Sequence, residues 1–207
     1  MAIDVRGLSA ALGHLAGTVH AARGFYLDAR VGFLYGHERV ERIVDQFRVQ
    51  NPSHDPEQVA FIYGFGPPEA RNFQHVVSQA EAMRRMADGG RNHVVLGHWF
   101  VVVVYEFWET RHRKAIASAL GIDRDHLRLP IMGDLRRLRN AILHEEGRIS
   151  PGLAREMETL TFIDATDLLT LGPFDIDRIA DQMEDGLRNL LTSLGIRPED
   201  EAPPDPS

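Results

Sequence analysis

One stretch limits the architecture more than any other. From Asn92 to Leu120 the chain reads NHVVLGHWFVVVVYEFWETRHRKAIASAL, with no turn signal inside it. Val101 to Val104 favour a strand by local preference. Length decides the other way, because strands seldom exceed about ten residues. After Trp108 the apolar positions recur with a helical period and stop at Gly121. The segment therefore reads as one long, mostly buried helix. Its apolar part is too short to span a bilayer and contains His98 and Glu106.

Helical periodicity dominates the rest as well. Val5, Leu8, Leu12, Leu15 and Val19 fall on one face of a helix over 5–22, and a second run covers about 24–49. NPSHDPEQ, rich in Pro, Asn, Ser and Asp, is a loop. VAFIYGFGPP is short, β-branched and aromatic, and fits either a strand or a buried loop. A third helix is expected from Pro68–Glu69 to the glycine pair at 89–90. IDRDHLRLP reads as a connection with at most one short turn, and Pro130 suits the first position of the next helix. Ser150-Pro151 opens a short helix to about 159. Asp175 is expected to cap a last helix, with Ile176, Ile179, Met183, Leu187, Leu190 and Leu194 on one face and Gly195 closing it. The fold expected is all-α: a single helical-bundle domain over 1–196 with long central helices. An acidic tail over 197–207 is expected to be disordered.

Composition narrows the chemistry. The absence of cysteine removes disulfides, thiolate metal sites and a cysteine nucleophile together. The N-terminus lacks a basic start followed by an unbroken apolar core, so no signal peptide is read and a cytoplasmic location is expected. The net charge of −7 argues against a general grip on nucleic acid. Its distribution is uneven: Arg111–Arg139 holds eight Arg or Lys against three Asp, and the segment from Ser150 onward holds four Arg against thirteen acids. An acidic body with one basic region suits an anionic partner bound locally. The alternative is ordinary solvated surface.

The basic region ends in DLRRLRNAILHEEG, Asp134–Gly147. Ile131, Leu135, Leu138 and Ile142 make an apolar stripe on an ideal helix. Arg136, Asn140 and His144 form a polar row opposite, bordered by Arg137, and Leu143 lies near that row. Arg139 and His144 are five apart, about 140° around the helix, so they do not share a face. In a chain rich in arginine and histidine, that spacing carries no weight alone. Other chemistries lack their signatures. No HExxH or G-x-S-x-G occurs, and GFGPP lacks the ending of a phosphate loop. His93 and His98 fall on different helix faces. Trp99, Phe100, Tyr105, Phe107 and Trp108 read as core before base-stacking surface.

With LRNAILHEEG, a GDL start before it and the aromatic helix YEFWETRHRKAIASALG before that, the region Val94–Gly147 resembles the HEPN superfamily. These are small all-α domains of prokaryotic toxin–antitoxin and abortive-infection systems. Their motif is an arginine, then four to six residues of which the first is often polar, then a histidine; here those are Arg139, Asn140 and His144. The resemblance implies metal-independent RNA cleavage at a composite site of two protomers, with no metal or other cofactor. His144 would move the proton and Arg139 would clamp the phosphate. Asn140 would orient the histidine or bind phosphate. The partners implied are RNA, a second copy of the chain meeting at Leu143, and an antitoxin or regulatory protein. Arg136, Arg137, Arg111, Arg113 and Lys114 are candidate RNA contacts. Glu106 or Glu109 could pair with Arg139 across helices. A catalytically inactive HEPN-like module for dimerisation, RNA binding or regulation is the alternative.

Overall fold

The computed structural model describes residues 3–65 and 72–196. The described chain is helical apart from one two-stranded ribbon and an isolated bridge between Ile149 and Thr166, so the expected all-α class holds. No helix among the described residues is long and apolar enough to cross a membrane. The backbone packs into two compact units: one comprises residues up to Phe25 and from His98 onward, the other Tyr26–Gly97. No linker composition marks either boundary, because each falls inside a helix.

Helix α1 runs unbroken over Val5–Gln50, where the sequence suggested two helices. The shift of apolar positions after about residue 22 marks a change of burial partners, with Leu8, Leu15 and Val19 buried in the first unit and Val40 and Val44 in the second. Gly24 does not interrupt the helix. A helical glycine costs only about 1 kcal/mol.

In the Tyr26–Gly97 unit, Val40 and Val44 pack with Ala82 and Met86, and Phe33, Phe61, Val77 and Met83 lie against them. Strand β1, Ala60–Phe65, pairs antiparallel with β2, Asn72–Ser78, from Ala60↔Ser78 to Phe65↔Asn72, with an irregularity at Tyr63/Gly64. The ribbon corrects the expectation of a helix from Pro68. Residues 66–71 lie outside the described residues, and the β-branched and aromatic NFQHVVS forms strand. Helix α2, Gln79–Met86, starts only when Ser78 accepts a hydrogen bond from the Glu81 N–H.

In the other unit the long helical path is present as expected. It is built from α3 (Arg91–Phe107, of which His98 onward belongs here), a π-turn at Trp108–His112 and α4 (Arg113–Leu120), closed by Gly121 at φ +68°. The π-turn was not foreseen. It buries Trp108 and His112 together, and the His112 Nε2 lies 3.0 Å from the Thr18 hydroxyl. A single 3-10 turn, Arg124–His126, makes the connection. Helix α5, Pro130–His144, follows with Pro130 in its first turn.

Helix α6, Pro151–Arg155, has the expected Ser150 cap but stops short of 159. The chain there turns to offer its N–H groups to Asp134. Helix α7, Pro173–Ser193, is capped at Gly172 rather than Asp175. Asp175 sits a turn inside and accepts the Gly172 N–H at 2.9 Å. Ile176, Ile179, Met183 and Leu187 are buried as expected, while Leu190 and Leu194 are half-buried. Helices α5 and α7 pack together, and a Cβ on Gly186 would stand 3.4 Å from Ile131. The expected tail over 197–207 lies outside the described residues.

Candidate functional site

Everything proposed for chemistry is carried on α5. The apolar stripe is real: Ile131, Leu135 and Leu138 are buried, with Ala141, while Ile142 is half-buried. Asp134 falls inside that stripe and is fully buried. Its carboxylate accepts the N–H groups of Glu158, Thr159 and Leu160 at 3.0, 2.7 and 3.0 Å, and the Thr159 hydroxyl at 2.9 Å. Arg137 donates to its other oxygen at 3.1 Å. Burial pushes this carboxyl up, but the donors outweigh burial and hold it below the usual carboxylate range. Asp134 thus fixes the axial and rotational setting of α5.

One turn on, the Arg139 guanidinium is half-buried and held from both sides. Its Nε and Nη2 donate to Glu106 Oε1 at 3.2 and 2.9 Å, and its Nη1 donates to Asn140 Oδ1 at 3.3 Å. Glu106, not Glu109, is the cross-helix partner; Glu109 takes Arg113 instead, at 3.1 Å. A guanidinium has five N–H groups. Among the described residues three are engaged, so two remain for a phosphate oxygen. Glu106 and Asn140 together define the plane in which those two point.

His144 is exposed, and no hydrogen bond or ion pair engages it among the described residues. Helix α5 is regular through His144, so no distortion brings its imidazole round to Arg139. The backbone departs from the helix only afterwards, with Glu146 at φ 57° and Gly147 at φ 82°. Gly147 N–H donates to the Ala141 carbonyl, and Leu169 N–H to the Gly147 carbonyl. A Cβ at Gly147 would lie 2.9 Å from His98 Cε1. His98 Nε2 in turn bonds the Leu169 carbonyl at 2.8 Å, which requires that nitrogen to carry the proton. Burial holds the His98 ring below its ordinary pKa. The sequence marked His98 as a break in an apolar run and as lying on a different helix face from His93; in the structure it packs against the turn behind His144.

The row Arg136, Asn140, His144 is exposed along its length, and Leu143 beside it is 48% exposed. The other candidate RNA contacts separate into two sets. Arg113 is held by Glu109 and by the Leu127 carbonyl, and Arg137 lies among Asp134, Glu156 and Glu158. Arg111, Lys114 and Arg136 are exposed and have no ion pair among the described residues. Of the aromatic residues, Phe100 and Trp108 are buried as core. Trp99 is half-buried and tilts against Phe25 at 4.6 Å, and Phe107 is exposed.

Compared with protein-family models, with characterised proteins and with solved structures, the chain matches none.

The sequence reading missed the importance of Asp134. A carboxylate at the fourth position of an Ile131–Leu135–Leu138 stripe was the available signal, since a charge there must find partners. It treated Arg137 as a substrate contact, whereas that guanidinium is largely spent on three carboxylates.

Proposed function

We propose that the chain is a metal-independent endoribonuclease of HEPN type, acting as a homodimer. The observation that carries this reading is the held Arg139. Its guanidinium is fixed by Glu106 and Asn140, with two N–H groups left over, on the same short helix as an unengaged, exposed histidine.

In the reaction, the His144 imidazole takes the proton of a ribose 2′-hydroxyl. The oxygen attacks the adjacent phosphorus, the bond to the 5′-oxygen breaks, and that oxygen leaves with a proton from the imidazolium. The products are a 2′,3′-cyclic phosphate and a 5′-hydroxyl. Histidine suits the proton transfers because its ordinary pKa lies near neutrality. Arg139 binds the phosphate oxygens as charge builds on them. DNA lacks the nucleophile and is spared.

Arg139 and His144 of one chain point about 140° apart around α5, so a complete site needs a second chain. Antiparallel apposition of two α5 helices centred between residues 141 and 142, with Leu143 at the contact, would set Arg139 of one protomer against the His144 of its partner. Such a dimer also gives a half-exposed leucine beside a polar row a reason to be there.

A second reading is favoured by one observation: the Glu106 carboxylate already neutralises Arg139. On that reading the chain is an inactive HEPN-like dimerisation, RNA-binding or regulatory module. Purified protein incubated with total RNA in EDTA, beside His144→Ala, separates the two. Cutting by wild type and not by the variant is expected; intact RNA with both supports the module. An antitoxin-like or regulatory partner belongs to the nuclease reading and would be sought by co-purification with the wild-type protein.

A further inference from the structure

Beside the motif row, the same unit holds an open, polar cleft of about 660 Å³. Its walls come from Tyr105 and Trp108 on the long helical path, from the connection 125–129 and from the first turns of α5. Four guanidinium groups line it: Arg113, Arg128, Arg136 and Arg137. So do three carboxylates, each already against an arginine. Glu109 holds Arg113 at 3.1 Å, Glu158 lies 3.9 Å from Arg137, and Asp125 lies 3.6 Å from Arg124. Arg128 and Arg136 are different. Both are exposed, and neither has a hydrogen bond or ion pair among the described residues. The cleft therefore presents two uncompensated forks in a concave polar surface.

Arg136 belongs to two features at once. It lines the cleft, and it begins the exposed row that continues through Asn140 to His144. Each step of that row is four residues, about 6 Å along the helix, close to one nucleotide of an extended strand. The field at the start of α5 also favours an anion there.

We propose that this cleft is a phosphate subsite for single-stranded RNA, with Arg128 and Arg136 gripping a phosphate that flanks the bond placed at His144. The direction of the strand along the row rests on the ribonuclease reading; the cleft's hold on a strand phosphate does not. Arg128 was not among the candidates from sequence. It sits in the connection that precedes α5, outside the motif, and only the fold brings it to the lining of the same cleft as Arg136.

The test is fluorescence anisotropy with a short labelled 2′-O-methyl oligoribonucleotide, which cannot cut itself. Arg128→Ala/Arg136→Ala should bind at least about tenfold more weakly than wild type. Its slope of log Kd against log salt should fall by about 0.7, the contribution of the one single-strand phosphate that is no longer neutralised. Both side chains are exposed, so circular dichroism should be unchanged. Arg6→Ala, an exposed arginine elsewhere, should bind as wild type does. Affinity within twofold of wild type for the double variant, or no binding by wild type, overturns the proposal. Adenosine 5′-monophosphate binding as tightly as the oligonucleotide would make the cleft a free-nucleotide site and overturn the strand assignment. Wild type that binds with this arginine dependence yet never cuts RNA would defeat the nuclease reading and leave the subsite standing.

Discussion

Removing the Asp134 carboxylate should unfasten α5 from the rest of its unit. In Asp134→Ala, the Leu160 N–H is left in a buried position with no acceptor, and the half-buried Thr159 loses partners for both its N–H and its hydroxyl. Glu158 is exposed, so water can satisfy its N–H. Unsatisfied buried donors cost about 1–3 kcal/mol each. Two or three such groups, discounted because Thr159 is only half-buried, give a loss of about 3–5 kcal/mol, the range for breaking a buried charged pair. Asp134→Asn keeps the shape and one acceptor but loses the charge, which lowers the expected loss to about 2–3 kcal/mol. Against a usual total of about 5–15 kcal/mol, either loss is large. Urea unfolding followed by circular dichroism measures both. The folded carboxyl titrates below its unfolded value. Its contribution is therefore full above the ordinary aspartate pKa, about 4, and disappears as pH falls through the lowered folded value. The gap between wild type and Asp134→Asn should accordingly narrow on acidification below about pH 4. An alanine variant within about 1 kcal/mol of wild type, or a gap to Asp134→Asn independent of pH, would refute the reasoning.

Two further outcomes follow from the same unit and its neighbour. Gly147→Ala forces a side chain into a left-handed conformation and to within 2.9 Å of His98 Cε1. It should cost about 2–3 kcal/mol in urea unfolding, and an unchanged midpoint would show that the turn behind His144 is not constrained as described. Burial holds His93, His98 and His112 below the ordinary histidine pKa, with Arg30 adding to the effect at His93, and Arg111 and His14 at His112. The unfolded chain then takes up protons first as pH drops through about 6.5, so stability should decline between about pH 7 and pH 5. A thermal midpoint that stays flat or rises over that range would contradict the assignment.

The parts of α5 that were legible in sequence are those set by local rules. Pro130 bounds the helix at its start because its ring fixes φ and no N–H is needed there. The three-and-four spacing of Ile131, Leu135 and Leu138 places the buried side, and the exposure of Arg136, Asn140 and His144 follows from it. What stayed hidden was set by distant partners. Asp134 takes its donors from residues 24 to 26 positions away, and nothing near it in sequence records the turn they form. Glu106 and Glu109 were equal candidates for Arg139. The structure separates them: Glu106 reaches Arg139 across helices, while Glu109 pairs with Arg113 four residues along its own helical path. The ribbon β1–β2 was half visible: its first strand has the right composition, but its second was absorbed into a helix whose real start needed the Ser78 cap. The continuity of α1 was obscured because its apolar face changes units without any change in backbone.

The claim on which the functional account turns is that Arg139 of one chain works with His144 of another, and mixing two dead variants tests it most directly. Arg139→Ala and His144→Ala should each fail to cut RNA. Unfolded or dissociated, mixed in equal amounts and reassociated, they should recover about a quarter of wild-type activity, because half the dimers are mixed and each mixed dimer has one intact site of two. Recovery would hold in EDTA. A mixture that stays inactive, while size-exclusion chromatography shows that mixed dimers have formed and wild type treated identically cuts RNA, would contradict the shared site.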